Sequence, residues 1–270
     1  MESLMHDETS IHYVSSGNAL PTLLFVHGAD IDLSYWNAQL AYFKDRYHVI
    51  AIDLPGHGKS GRNKKHWTVK NMGEDVATFI RSLKLEQVIL IAHSMGGNVG
   101  LVAATTNPDP VIGFIGIDNF KSAGQPLPSE YQEQSKQIVE QLHQNFADTN
   151  EQYVRMVLVT PETPEAVSAR VINDYRNAFQ PMAIEIIEAI FNDEYLTERE
   201  LLPKLSCKLH LINVDYMPTQ KEPLKQLTTK GFAIHPMEGT SHYPMIEKPD
   251  ELNQLLDQTI EEIMRERSIA

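Results

Sequence analysis

Residues Val88-Ile89-Leu90-Ile91-Ala92-His93-Ser94-Met95-Gly96-Gly97 constrain this chain more than any other stretch. Four β-branched or leucine residues in a row have the character of a strand buried on both faces. Directly after them, Gly96, Gly97, Gly100, Ala103 and Ala104 run along a helical pattern. Ser94 therefore stands where a strand turns into a helix. A turn that sharp strains its central residue and tolerates only small neighbours. It holds the hydroxyl at the strand tip beside the free N–H groups of a helix N-terminus. That arrangement suits a nucleophile which attacks a carbonyl and stabilises the resulting oxyanion. Taken alone, the pattern also fits an ordinary strand–helix turn capped by serine, so the surrounding chain has to decide.

The surrounding chain alternates. Ile11 to Ser15 reads as a strand, followed by a turn at Gly17-Asn18. Thr22 to Val26 and Val49 to Ile52 are apolar runs of strand length, ending at His27-Gly28 and at Asp53. Asp32 to Phe43 and Val69 to Leu83 carry apolar residues at helical spacing, Trp36, Leu40 and Phe43 in the first and Met72, Val76, Phe79, Ile80 and Leu83 in the second. After the helix behind Ser94, Val111 to Ile117 is the next strand, ending at Asp118. Buried strands that alternate with helices predict an α/β fold, a doubly wound, mostly parallel sheet covered on both faces. Ligands of such sheets bind at the carboxyl ends of the strands. His27, Asp53, Ser94 and Asp118 are thereby expected along one edge.

From Phe120 to Leu202 the alternation stops. A proline-containing linker, Gln125 to Ser129, leads into segments with helical spacing only, for example Val167, Val171 and Tyr175, then Ile184, Ile187 and Phe191. The expectation is a helical insertion over 120–202 between two parts of one core, 1–119 and 203–270. Strands resume at Leu209 to Asn213 and at Phe232 to Ile234, with a helix near Glu222 to Thr228 between them and a last helix from about Pro249 to Arg267.

Composition excludes several classes. The net charge of −13 argues against nucleic acid and against an anionic membrane surface as partners. A single cysteine, Cys207, rules out an internal disulfide and reads as a small core residue. Residues 1–10 carry Glu2, Asp7 and Glu8 and no apolar run, unlike a signal peptide. No stretch is long enough to span a bilayer. A cytoplasmic protein acting on a small molecule is expected, with no metal or cofactor called for. Oligomeric state is not encoded in any motif.

Four stretches together resemble the α/β-hydrolase superfamily: His27-Gly28-Ala29, Asp53-Leu54-Pro55-Gly56-His57-Gly58-Lys59-Ser60, the Ser94 turn, and Gly239-Thr240-Ser241-His242-Tyr243. Their order matches across nearly the whole chain, and the helical insertion is similar to the cap of many members. The resemblance implies that Ser94 is the nucleophile and His242 the base that activates it. It implies an oxyanion hole from the backbone N–H groups of Ala29 and Met95. The acid that orients the imidazole is implied at Asp215, after the strand that usually supplies it, with Asp118 as the alternative because some members take it from there. The usual glycine before Asp215 is missing. His27, His57 and His93 are assigned to hydrogen bonding within the backbone scaffold, and Asp53 to shaping its turn.

The expected function is a serine hydrolase acting through an acyl-enzyme on a small to medium, largely apolar ester. Phe120, Phe146, Tyr175, Phe179 and Met182 of the insertion are its candidate substrate contacts. Alternatives on the same scaffold are a carbon–carbon hydrolase or peracid-forming relative, and a low-turnover small-molecule receptor. Enzymes with an aspartate nucleophile, such as dehalogenases and epoxide hydrolases, are disfavoured because position 94 is serine.

Overall fold

A computed structural model describes residues 2–6 and 9–269. Eight strands form one sheet: β1 (Glu2–His6), β2 (Thr9–Ser16), β3 (Thr22–Val26), β4 (His48–Ile52), β5 (Val88–His93), β6 (Val111–Ile117), β7 (Leu209–Val214) and β8 (Phe232–Met237). Their order is β1-β2-β4-β3-β5-β6-β7-β8. The β1–β2 and β2–β4 pairs are antiparallel, and every other pair is parallel. β1 was not expected from the sequence: it is a five-residue edge strand whose apolar residues, Leu4 and Met5, make no run or alternation to announce it.

The helices are α1 (Asn37–Phe43), α2 (Val69–Ser82), α3 (Met95–Thr106), α4 (Ser129–Gln144), α5 (Phe146–Tyr153), α6 (Glu165–Arg176), α7 (Gln180–Asn192), α8 (Glu194–Leu201), α9 (Lys221–Leu227), α10 (Pro244–Glu247) and α11 (Pro249–Ile269). Side chains alternate across a strand, and β3 makes the two layers visible. Leu24 and Val26 join the apolar cluster under α2 and α3, while Leu23 and Phe25 join the one containing α11 residues Leu252, Leu256 and Ile260. Both clusters are needed because every residue of β3 and β5 is buried. No helix among the described residues is long and apolar enough to cross a membrane.

Two features of this topology position the site. First, β3 lies between β4 and β5, so successive connections leave it in opposite directions. The crevice at that switch point opens at the carboxyl ends of β3 and β5, where Ala29 and Ser94 follow. Second, β6 pairs directly with β7 in parallel register, Ile117 beside Ile212. The sheet is therefore continuous across the helical segment α4 to α8, and the described residues of that segment add no strand to it.

Candidate active site

Ser94 takes φ 51° and ψ −129°, a left-handed φ unusual for a residue with a side chain. Its backbone is held on both sides: its N–H donates to Ile117 O at 3.1 Å, and its carbonyl accepts from Gly97 N at 2.8 Å and from the Asn119 amide. The small residues are dictated by this crowding. A Cβ on Gly96 would collide with the carbonyl of His27, and one on Gly97 with the Asn119 side chain. Met95 opens α3, so its N–H has no partner within the helix. Ser94, Met95, Ala29, Asp118 and His242 all line one cavity of about 310 Å³.

His242 Nδ1 is bonded to Asp118 Oδ2 at 2.6 Å. This corrects the expectation that Asp215 would hold the imidazole. Asp215 is exposed and accepts from Gly239 N at 3.0 Å. The reason is local. Asp118 has a left-handed φ of 47° just past β6 and is 4 % exposed, whereas the loop after β7 turns Asp215 outward and brings Tyr216 in. Tyr216 Oη donates to Asp118 Oδ2 at 3.2 Å and lies 3.4 Å from His242 Nδ1.

Sequence reasoning also missed Lys121. Its Nζ sits 2.7 Å from Asp118 Oδ1, donates to Val214 O at 3.0 Å, and lies 4.1 Å from the Tyr216 ring centroid. Val214 N–H completes the contacts of Asp118 Oδ1 at 3.2 Å. Burial alone would raise the Asp118 carboxyl, but bonding and charge from His242 and Lys121 outweigh it and hold the carboxyl below its ordinary value. Burial lowers Lys121, opposed by Asp118. The available signal was the i,i+3 spacing of Asp118 and Lys121.

The remaining histidines have scaffold partners. Leu54 N–H donates to His27 Nε2 at 2.9 Å, which puts the ring proton on Nδ1, bonded to Gly28 O at 2.7 Å. His57 Nδ1 bonds Pro55 O at 3.1 Å, and His93 Nε2 bonds the His242 carbonyl at 2.8 Å. Burial lowers the pKa of all three. Asp53 accepts from Leu33 N and Lys59 N, each at 2.9 Å, and so ties its turn together. Leu158 O accepts from His242 N at 3.1 Å, which anchors the histidine loop to the helical segment.

Of the expected substrate contacts, Phe120 and Tyr175 line the cavity. Phe146, Phe179 and Met182 do not. Phe146 packs on Leu142 and its neighbours, and Phe179 and Met182 line a separate cavity of about 140 Å³ beside Asp30 and His57. Helical spacing identified apolar faces but not which neighbour each face meets. The wall of the main cavity also carries an unforeseen carboxyl pair. Asn98 Nδ2 donates to Glu194 Oε1 at 2.5 Å and to Glu198 Oε1 at 3.3 Å. Burial, then the charge of Glu198, pushes Glu194 up to about 8, and burial also raises Glu198.

Against known proteins, the alpha/beta hydrolase fold family matches residues 21–168. Over 106 residues the chain is 36% identical to the dihydrolipoyllysine-residue acetyltransferase component of the acetoin cleaving system of Cupriavidus necator, covering 39% of this chain and 28% of that protein. Over 109 residues it is 32% identical to 3-oxoadipate enol-lactonase 2 of Acinetobacter baylyi, covering 40% and 41%. The chain thus spans less than half the length of these curated relatives. Among solved structures, an esterase from Exiguobacterium antarcticum superposes with a TM-score of 0.81 at 17% identity, covering 94% of this chain and 97% of that one. Est816, described as an N-acyl homoserine lactone degrading enzyme, superposes at 0.79 with 18% identity, covering 95% and 99%. At those identities the structural likeness speaks for the fold. The matched family, which spans the Ser94 turn and more than half the chain, identifies this protein as a member of the α/β-hydrolase family.

Proposed function

We propose that the protein is a serine hydrolase that cleaves carboxylic esters through an acyl-enzyme. The observation that carries this reading is the 2.6 Å bond between His242 Nδ1 and Asp118 Oδ2 on the same cavity as Ser94. With Nδ1 engaged, Nε2 is the ring atom left to act as a base. It takes the Ser94 proton as Oγ attacks the ester carbonyl. The N–H groups of Ala29 and Met95 receive the oxyanion. The imidazolium then protonates the departing alcohol, and a water deprotonated by His242 releases the acid. Asp118 orients the ring and offsets its charge at each step.

The helical segment 120–202 acts as a cap in this reading, since Tyr153, Tyr175, Ile187 and Phe191 form part of the cavity wall. The substrate is a small to medium ester whose apolar body meets these residues and whose polar end meets Asn98 and the Glu194–Glu198 pair. Lactones, the cyclic esters named for one relative and one structural neighbour, belong in the same chemical class.

The test is turnover of short- and long-chain p-nitrophenyl esters and simple lactones, together with labelling by a fluorophosphonate. Wild type should turn over and label, and Ser94→Ala should do neither while remaining folded. Undiminished labelling of the variant would remove Ser94 from the role. Labelling of wild type without turnover on any ester would favour the receptor reading.

A further inference from the structure

Away from the catalytic cavity, β7, β8 and α11 bring two histidines and two glutamates together. In the parallel β7–β8 register His210 pairs with Ala233 and Ile212 with His235, so His210 and His235 stand diagonally on one face of the sheet. Glu262 and Glu266, one turn apart on α11, approach that face. His210 Nδ1 lies 3.4 Å from His235 Nε2, which in turn lies 3.8 Å from Glu262 Oε2. The ligand atoms of His210, His235 and Glu262 all fall within 4.8 Å of one another.

We propose that His210 Nδ1, His235 Nε2 and Glu262 Oε2 form a binding site for a divalent transition metal, zinc being the best match. Two imidazoles and one carboxylate are a donor set that zinc favours. Zinc–nitrogen and zinc–oxygen bonds of about 2.0–2.1 Å in a tetrahedron place neighbouring donors about 3.3 Å apart. The 3.4 Å separation already meets that spacing, and a rotation of the half-buried Glu262 side chain would have to close both the 3.8 Å one and its separation from His210, which lies within 4.8 Å. Water supplies the fourth ligand.

Two further observations fit a metal site better than a chance cluster. His210 is fully buried, and its Nε2 has no hydrogen-bond partner among the described residues. It faces Glu266 Oε2 at 3.9 Å, so with Nδ1 on a metal the Nε2–H would turn to that carboxylate. This is the outer-shell contact that usually orients a metal-bound histidine. Lys208 bonds the other oxygens, Glu262 Oε1 at 2.8 Å and Glu266 Oε1 at 2.6 Å. The Oε2 atoms of the two glutamates are the ones that face the imidazoles, Glu266 at 3.9 Å from His210 and Glu262 at 3.8 Å from His235. An ion here would join the edge strand β8, its neighbour β7 and the C-terminal helix, a structural role separate from ester cleavage.

The full-length protein, stripped with EDTA, is titrated with zinc by calorimetry and with cobalt by absorption spectroscopy. One zinc per chain is expected, with a tetrahedral cobalt spectrum and a higher melting temperature in zinc but not in magnesium. His235→Ala should weaken zinc binding by at least 100-fold and Glu262→Gln by at least 10-fold, and the outer-shell change Glu266→Gln by about 10-fold. His235 and Glu262 are partly exposed, so these variants keep the fold where a change at buried His210 could lose it. Ser94→Ala should bind zinc as wild type does, which keeps this test independent of the hydrolase reading. Absence of zinc binding, or binding unchanged in both His235→Ala and Glu262→Gln, would overturn the proposal.

Discussion

His242 Nδ1 and Asp118 Oδ2 are 2.6 Å apart although 124 residues separate them in the chain. Asp215, only 27 residues before His242, bonds Gly239 instead. Asp118→Asn would leave the imidazole in the wrong tautomer. We expect it to lower kcat/KM on an activated ester by roughly 10³-fold, about 4 kcal/mol of transition-state stabilisation. Asp215→Asn should stay within about threefold of wild type. Steady-state kinetics of the two variants side by side checks the pair, and the reverse ranking would return the role to Asp215.

Lys121 is a buried cation on the far oxygen of the same carboxylate. Lys121→Met removes a positive charge from beside the Asp118–His242 pair, so a proton on that pair is held more tightly. The acid-side fall of kcat/KM should move up by about half to one pH unit, the shift expected of one partly screened charge. Stability should drop by about 1–3 kcal/mol because Asp118 loses a partner in the interior. A pH–rate profile and a urea melt measure the two effects. An unmoved acid limb with lowered stability would make Lys121 purely structural.

Asp30 adjoins Ala29, the proposed oxyanion residue, and both of its carboxylate oxygens are buried without a hydrogen-bond partner among the described residues. Burial raises its pKa to about 7. A carboxyl raised above its unfolded value of about 3.9 favours folding while both states are protonated, and that contribution is lost as pH rises through about 7. Between these values the group makes stability fall with pH by up to about 1.4 kcal/mol per unit. Asp30→Asn abolishes that slope, and asparagine tolerates the left-handed backbone at φ 57°. Thermal melts at pH 5 and pH 8 should show the variant losing less stability than wild type across the interval. Equal losses would mean that Asp30 finds a partner in solution.

Phe191 and Phe146 belong to the same apolar cluster of the helical segment, but of the two Phe191 lines the cavity that holds Ser94 and His242. Phe191→Ala should raise KM for longer acyl esters by about 10-fold and leave short ones nearly unchanged, the scale on which apolar pockets discriminate. Phe146→Ala should leave the KM ratio alone. Kinetics on a short and a long ester reads the difference, and an effect of equal size from Phe146 would refute the cavity assignment.

The elements with a strong local pattern were legible without coordinates. The Ser94 turn is one, because a buried strand followed by glycines permits few alternatives; the expected and observed bounds of β3 and β6 coincide. The helical character between β6 and β7 was legible too, from 3.6-residue spacing. β1 was not, since a five-residue edge strand with only Leu4 and Met5 apolar carries no periodic signal and is held by its backbone pairing with β2. Nor could spacing choose between Asp118 and Asp215, or between Phe120 and Phe179 as cavity residues. Those choices depend on where side chains meet after folding: a left-handed φ at Asp118 and a loop that turns Tyr216 inward decide the first, and the packing of α7 decides the second. Strand and helix follow from short-range periodicity along the chain, so the sequence by itself determined the layers and the sheet edge that bears Ser94. Contacts between residues a hundred positions apart are set by loop conformation and packing, and only the tertiary structure decided which acid reaches His242.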